Sequence, residues 1–323
     1  MKKVLVVDDD PTNLQVLRQV LKNHFETIFA TSGSKCIELA KKYHPDIILL
    51  DVMMPDMNGY ETCQKLKLDS ETSNIPVIFV TAMSEVVDET KGFDVGAVDY
   101  ILKPICGPIV IRRVKTHLSL IKVQELESSH HAAIFMLGEA GHYNDNDTGV
   151  HIWRMAAYAR IIANCMGWSV EQQELIELSA PLHDTGKIGI PDSILKAERS
   201  LTEEEWVIMK THSEIGANIL SKSDCHVFKM AAEIALHHHE KWDGSGYPSG
   251  LSGEEIPMSA RIVAVADVFD ALTMERPYKK AWSVDDAVEE IKASSGSHFD
   301  PNIVECFIRT LPDIIKEKEK WEK

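Results

Sequence analysis

Paired cysteines, long apolar runs and an excess of positive charge are all missing from this sequence of 323 residues. The six cysteines are scattered and form no CxxC pair, which favours reduced core or surface thiols. No window approaches the ~18 uncharged apolar residues of a membrane span, and the apolar stretch near the N-terminus is too short for a signal-peptide core. We therefore expect a cytoplasmic protein with no membrane span.

The charge balance excludes one broad class of partner. Lysine and arginine number 34 against 50 aspartates and glutamates, which gives a net charge of -16 and a pI near 5.3. Such an acidic chain is not expected to bind nucleic acid through general electrostatics. A compact anionic ligand could still bind where metal ions reverse the local field.

The pattern of apolar residues differs between the two halves of the chain, whose length suits two domains. Over residues 1–120, apolar runs at 4–7, 47–50, 77–80 and 98–102, with a weaker one at 27–30, are each followed by residues with helical spacing. This alternation predicts an α/β fold, a doubly wound five-stranded parallel sheet with helices on both faces. Ligands of such sheets lie at the carboxyl ends of the strands.

Strand-like runs almost vanish after residue 138. Helical patterns then cover roughly 150–166, 171–183, 203–220, 227–239, 259–272, 284–294 and 301–315, which predicts an all-α second domain. Between the two domains, residues 109–137 are helical in pattern. They predict either a long connecting helix, able to pair with a second copy, or a last helix followed by a polar tether.

Polar side chains follow the predicted strands of the first domain. Because the carboxyl ends of parallel strands converge, we expect the residues there to meet, namely Asp8, Asp9, Asp51, Thr81 and Lys103. Clustered carboxylates favour a hard cation such as Mg²⁺, and a lysine opposite them suits a phosphoryl group. Capping of the helix that begins near Pro11 explains Asp10 but not Asp51 or Lys103.

The segments VLVVDDDPTN, LLDVMMPDMNGYE, FVTA and DYILKP resemble the receiver domain of two-component response regulators, which has a flavodoxin-like fold. The resemblance covers residues 1–120. It implies phosphorylation of Asp51 by a cognate histidine kinase, and a switch role for Tyr100. It also implies a site for Mg²⁺ and the phosphoryl group that comprises Asp8 (through water), Asp9, Asp51, the Met53 carbonyl, Thr81 and Lys103.

Histidines and aspartates recur through the second domain. The candidate metal ligands are Asp147, His151, His183, Asp184, His212, His238, His239 and Asp267. Imidazole and carboxylate groups together suit iron, manganese and zinc. Because adjacent residues point in different directions, His183 and Asp184 could serve different metals, or Asp184 could bridge two. A lone histidine is more often an ordinary polar residue, and only the relative register decides whether His237 is also a ligand.

The segments LHDTGKIGIPDSIL, HHHEKWDGSGYPSGL, EEIPMSARIVAVADVFDALT and RPYK resemble the HD-GYP branch of the HD hydrolase superfamily. The resemblance implies a phosphodiesterase that cleaves cyclic di-GMP to pGpG or GMP at two or three divalent metals, iron or manganese with zinc or nickel as alternatives. It implies seven ligands: His151, His183, Asp184, His212, His238, His239 and Asp267. It assigns catalysis to Asp184 and Lys187, and substrate contacts to Lys187, Tyr247, Asp270, Arg276 and Lys279.

Two positions depart from the family pattern. Thr185 replaces the isoleucine of HDIGK. Asp147 occupies the position where some members have a glutamate that binds a third metal. Its side chain is one methylene shorter than glutamate, so the sequence predicts either two metals or three. We expect a receiver over 1–120, a connecting helix over 121–137 and the hydrolase over 138–323, with Asp51 phosphorylation modulating activity and with homodimers as the assembly.

Two other functions fit parts of this pattern. One is a general HD phosphohydrolase acting on mononucleotides, against which the GYP loop and RPYK argue. The other is a binding module that senses cyclic di-GMP or recruits partners without turnover. The intact ligand set argues against that module, because a chain that no longer turns over substrate would be expected to lose ligands.

Overall fold

The computed structural model describes residues 1–82, 92–142, 150–274 and 281–321. The chain folds into two compact units, Met1–Ser128 and Ser129–Lys323. None of the described helices combines the length and the apolar character needed to cross a membrane.

A five-stranded parallel sheet forms the centre of the first unit. Its strands are β1 (Lys3–Val7), β2 (Glu26–Ala30), β3 (Ile47–Asp51), β4 (Val77–Thr81) and β5 (Asp99–Leu102), in the spatial order β2-β1-β3-β4-β5. Every residue of β3 and β4 is buried, because helices cover both faces of the sheet. The predicted fold class is confirmed, and the weak run at 27–30 is a full strand.

Three short helices with capped N-termini accompany the sheet. They are α1 (Pro11–Leu21), α2 (Gly33–Tyr43) and α3 (Gly59–Leu68). Asp10 caps α1 by accepting a hydrogen bond from the Thr12 amide, and Ser32 and Asn58 cap α2 and α3 in the same way. Asp10 is therefore a capping residue, as its position before Pro11 predicted.

A single long helix, α4 (Gly107–His142), carries the chain out of the first unit and into the second. It includes all of residues 109–137. Of the two alternatives for this segment, the long connecting helix is confirmed and the polar tether is wrong.

The described part of the second unit is helical. Its helices are α5 (Val150–Cys165), α6 (Val170–Ser179), α7 (Asp192–Leu195), α8 (Glu203–Lys210), α9 (His212–Leu220), α10 (His226–His237), α11 (Met258–Thr273), α12 (Val284–Ala293) and α13 (Pro301–Trp321), with 3₁₀ segments at Ala180–Leu182, Thr185–Gly189 and Gly253–Glu255. The single helix predicted over 203–220 is wrong. The hydroxyl of Thr211 bonds back to the Ile208 carbonyl oxygen (2.6 Å) where the helix is interrupted.

Three aromatic side chains join α5, α11 and α13 in the core of the second unit. The Phe269 ring centroid lies 5.7 Å from that of Tyr158 and 5.0 Å from that of Phe307, and all three residues are fully buried. Burial of rings of this size is a large contribution to stability. This packing fixes the helices that carry His151 and Asp267.

Candidate functional site

Asp184 lies at the centre of a histidine cluster, in the bend between two 3₁₀ segments. Its Oδ1 atom is 3.4 Å from His212 Nε2 and 3.6 Å from His238 Nε2. Its Oδ2 atom is 3.3 Å from His183 Nε2. The two carboxylate oxygens thus face different histidines, so this side chain could bridge two cations.

The donor atoms on the Oδ1 side form a compact group. One ligand atom each from Asp184, His212, His238 and His239 lies within 4.8 Å of all the others. Helix α9 begins with His212, and the adjacent pair His238 and His239 directly follows the last residue of α10. One carboxylate and three imidazoles are a suitable donor set for a divalent transition metal.

A second group of donors lies on the Oδ2 side. Asp267 Oδ1 is 3.6 Å from His151 Nε2 and 3.9 Å from His183 Nε2. His151 and His183 are almost completely buried, whereas 23% of the Asp267 side chain is exposed. These residues and Asp184 could hold a second cation next to the first.

Main-chain carbonyls orient the histidine rings. In three of them Nδ1 donates to a carbonyl oxygen: His183 to Ala180 (2.9 Å), His212 to Met209 (2.7 Å) and His238 to Ala235 (3.0 Å). That bond places the proton of a neutral ring on Nδ1, so each Nε2 could bind a metal when its ring is neutral. His238 Nε2 is buried and has no hydrogen-bond partner among the described residues, as expected of an atom positioned to bind a cation.

The charges in the cluster favour cation binding. Burial disfavours the charged form of Asp184, yet Lys187 and His183 hold the pKa of its carboxyl well below the usual range. Burial also opposes protonation of His183, but the Asp184 and Asp267 carboxylates raise its pKa to about 9. Burial lowers the pKa of His212 to about 4. Asp184 is therefore ionised at neutral pH and available to cations.

Two further predicted residues border the cluster. Lys187 Nζ is 2.8 Å from Asp184 Oδ2, and 18% of its side chain is exposed. The Tyr247 ring stacks on His239 with centroids 4.7 Å apart, and Lys210 Nζ lies 5.1 Å from the Tyr247 ring centroid. Burial raises the pKa of the Tyr247 hydroxyl, so this group keeps its proton and can donate a hydrogen bond.

The structure corrects the role predicted for Asp270. Its carboxylate is fully buried and contacts His151 Nδ1, while Arg154 binds it through Nε (2.5 Å) and Nη2 (2.8 Å). Burial opposes ionisation, but hydrogen bonds from His151 and Arg154 hold the pKa of Asp270 below its usual range. Since no part of this carboxylate is open to a substrate, Asp270 instead orients a candidate ligand.

His237 lies outside the donor group found by the structure. Its Nδ1 atom is 3.9 Å from Glu240 Oε1, and the donor group around Asp184 does not include it. Three other predicted site residues, Asp147, Arg276 and Lys279, lie outside the described residues.

The polar strand ends of the first unit also meet. Ligand atoms of Asp8, Asp9 and Asp51 lie within 4.8 Å of one another, and Lys103 Nζ is 2.9 Å from Asp8 Oδ2 and 2.8 Å from Asp51 Oδ2. Burial raises the pKa of Asp51, against the effect of Lys103. Thr81 is buried at the end of β4, and its carbonyl oxygen accepts from the Lys103 amide (2.8 Å).

Family models match both units. Residues 124–303 match an HD domain and residues 4–115 match a response regulator receiver domain. The chain belongs to the HD domain family. It carries a receiver domain at its N-terminus, so both resemblances seen in the sequence are confirmed.

Curated relatives match this chain over all or part of its length. A probable cyclic di-GMP phosphodiesterase of Vibrio cholerae is 37% identical over 98% of this chain and 80% of its own length. The cyclic di-GMP phosphodiesterase response regulator RpfG of Xanthomonas campestris is 36% identical over 95% of this chain and 87% of its own. A 3'3'-cGAMP-specific phosphodiesterase of Vibrio cholerae is 41% identical over 59% of this chain and 37% of its own.

Two residues that support the HD site have no counterpart among the sequence predictions. Arg154, one helical turn after His151, holds Asp270, and its charge within the apolar run of α5 was the available signal. Glu240 is buried and accepts hydrogen bonds from the amides of Ser249 (2.7 Å) and Leu251 (3.1 Å). It therefore anchors the loop that presents Tyr247 to the cluster.

Proposed function

We propose that this chain is a metal-dependent phosphodiesterase that hydrolyses cyclic di-GMP, first to pGpG and then to GMP. The observation that carries the proposal is the position of Asp184, whose two oxygens face separate histidine groups. The names of the full-length relatives support the substrate. A cyclic dinucleotide is anionic, and the chain as a whole is acidic. The ligand must therefore bind where the local charge is positive, as it is at a metal centre.

The proposed ligands are His212, His238 and His239 on one side of Asp184, and His151, His183 and Asp267 on the other. Iron or manganese fits these donors, with zinc or nickel as alternatives, and Asp147 is the proposed ligand of a third metal. Two neighbouring divalent cations supply Lewis acidity and a hydroxide nucleophile at neutral pH.

The chain's own side chains act on the phosphate and the base. Lys187, held 2.8 Å from Asp184, is placed to neutralise charge on phosphoryl oxygens during cleavage. Tyr247 keeps its proton and offers both a ring for stacking and a hydroxyl donor to a guanine. Arg276 and Lys279 are proposed to bind the distal phosphate, where arginine can make two parallel hydrogen bonds.

Asp184→Ala tests the centre directly. We expect full-length protein purified without oxygen to contain bound transition metal and to convert cyclic di-GMP, and the variant to lose both. Asp192→Asn is the matched control, because that aspartate is in the same segment but only pairs with Lys196 at the surface. An Asp184→Ala protein with full metal content and full hydrolysis would falsify the proposal.

A second substrate deserves the same assay, since one relative acts on 3'3'-cGAMP. Comparing kcat/KM for cyclic di-GMP, 3'3'-cGAMP and a mononucleotide ester distinguishes the substrate classes. Preference for the mononucleotide would identify a general phosphohydrolase instead. Tight binding of cyclic di-GMP to the metal-loaded protein without product would identify a binding module.

We propose that the first unit controls this activity. A histidine kinase would transfer phosphate to Asp51. Mg²⁺ would be bound by Asp9, Asp51 and the Met53 carbonyl, with Asp8 acting through water, and Thr81 and Lys103 would contact the phosphoryl group. Helix α4 begins in the same unit as Asp51 and ends in the hydrolase unit, and it is also the proposed surface for dimer formation.

The control is tested by adding a small phosphodonor with Mg²⁺. We expect turnover of cyclic di-GMP by the wild-type protein to change, and turnover by Asp51→Asn to stay constant. Mass spectrometry would verify that Asp51 carries phosphate. If the phosphorylated and unphosphorylated wild-type proteins then turn over cyclic di-GMP at identical rates, phosphorylation does not control the activity.

A further inference from the structure

Two cysteines and an arginine form a cluster outside the proposed metal centre. Cys165 ends α5 and Cys306 lies within α13. Arg309 Nη2 is 2.7 Å from Cys165 Sγ and 3.2 Å from Cys306 Sγ, and Arg309 Nε is 3.3 Å from Cys165 Sγ. A single guanidinium group therefore contacts both sulfur atoms.

The two thiols differ in access to solvent. Cys165 is half-buried, whereas Cys306 is buried with 7% exposure. Burial and the neighbouring Cys165 sulfur raise the pKa of the Cys306 thiol to about 11. The pair thus combines an accessible sulfur with a protected one. The hydrogen bonds that Arg309 donates to Cys165 in turn raise the pKa of Arg309.

Arg309 places a positive charge beside the Cys165 sulfur. The C-terminus of a helix disfavours a negative charge, and Cys165 lies at that end of α5. The guanidinium counteracts this through two nitrogens that contact the same sulfur. A thiolate beside arginine is the environment in which cysteines react with electrophiles and oxidants.

We propose that Cys165 and Cys306 are a dithiol site that hydrogen peroxide oxidises to an intramolecular disulfide. The Cys165 thiolate attacks the peroxide, forming an S–O bond as the O–O bond breaks and water leaves after protonation. The Cys306 sulfur then loses its proton and attacks Cys165, forming the S–S bond and releasing a second water. Two thiols are oxidised and one peroxide is reduced.

Other cysteines of the chain serve as internal controls. Cys106 and Cys225 are exposed, and the described contacts give neither sulfur a basic side chain. Cys36 is buried in the first unit, where burial raises the pKa of its thiol to about 12. If exposure alone decided reactivity, Cys106 and Cys225 would react before Cys165.

Alkylation rates test the first element of the proposal. Full-length, metal-containing protein is treated with limiting iodoacetamide near neutral pH, and each cysteine is followed by mass spectrometry. We expect Cys165 to react about tenfold faster than Cys225, because the Arg309 guanidinium contacts its sulfur and a basic neighbour promotes attack on electrophiles. Arg309→Met should remove this advantage. A Cys165 rate at or below that of Cys225 in wild type would overturn the proposal without any variant.

Peroxide treatment tests the second element. In wild type we expect a peptide pair joined by a Cys165–Cys306 disulfide that thiol reductant reverses. Cys306→Ser should instead accumulate a sulfenic acid on Cys165 that dimedone traps, and Cys225→Ser should behave as wild type. Absence of the disulfide in peroxide-treated wild type would overturn the proposal, as would its formation at an equal rate in Arg309→Met. The arginine would then only pack against the two sulfur atoms.

Discussion

Helix α10 ends at His237, the first of three consecutive histidines, and a shift of one residue decides the roles of the three. The rings of His238 and His239 lie in the cluster around Asp184, while His237 contacts Glu240. The triplet alone leaves the choice open, because neighbours on a helix point in different directions and the packing of α10 selects which of them face inward. The sequence selected His238 and His239 over His237 only through its resemblance to a family.

This register leads to a simple comparison among alanine variants. We expect His238→Ala and His239→Ala to lose bound metal and turnover, since each removes a proposed ligand. His237→Ala should keep its metal content, because its ring is not in the cluster. Metal analysis of the three purified proteins provides the measurement. Equal metal loss in all three would mean that the helix end has another register.

Asp270 and Asp300 offer a matched pair of buried carboxylates. Each pairs with one arginine, Asp270 with Arg154 and Asp300 with Arg261, but only Asp270 also contacts a proposed metal ligand. We expect Asp270→Asn to weaken metal binding by about 10–100-fold, because the partner that orients His151 loses its charge. Asp300→Asn should leave metal affinity unchanged.

Both substitutions should lower the free energy of unfolding, since breaking a buried ion pair costs about 3–5 kcal/mol. Metal titration and denaturant unfolding of the same samples separate the two effects. Equal loss of metal affinity in both variants would show that stability, and not the orientation of His151, is responsible.

Among the helices and strands, apolar patterns carried most of the correct predictions. Residues 47–50 and 77–80 are continuous apolar runs, the pattern typical of a central strand in a parallel sheet. In the structure they are buried on both faces. The break between α8 and α9 was missed because it depends on one hydroxyl, that of Thr211. The carboxylate of Asp270 was misassigned because its partners lie 116 and 119 residues away in sequence.

The 3₁₀ segment Thr185–Gly189 meets α9 with almost no space at Gly186. A Cβ atom there would lie 1.9 Å from the His212 carbonyl oxygen and 2.4 Å from the Gly216 amide nitrogen. We expect Gly186→Ala to separate the segment that carries Asp184 and Lys187 from the helix that carries His212. Metal content and turnover should fall sharply, and thermal unfolding should occur at a lower temperature.

Gly189→Ala is the control for this substitution. Its Cβ would meet the Ile215 side chain at 2.9 Å, on the same facing helix, but that side chain can rotate away. We expect a small change in stability and near-normal metal content. Wild-type metal content in Gly186→Ala would show that the two backbones can move apart without harm to the cluster.

At the scale of the whole molecule, each of the two units has its own cluster of charged ligands. The carboxylates of the first unit suit Mg²⁺, whereas the imidazole-rich cluster of the second suits transition metals. The two kinds of cation should therefore stabilise different parts of the chain, because a ligand that binds only the folded state adds to its stability.

Calorimetry with selective chelation checks this separation. Phenanthroline, added in excess Mg²⁺, should lower the unfolding temperature of the hydrolase unit and leave that of the receiver unit unchanged. A metal present at 100 times its dissociation constant contributes about 2.7 kcal/mol, so removing even one should be measurable. Asp184→Asn should abolish the response to the chelator, whereas Asp51→Asn should preserve it. If both unfolding steps fall together in wild type, or if Asp184→Asn still responds, the transition metals do not reside where the histidine cluster places them.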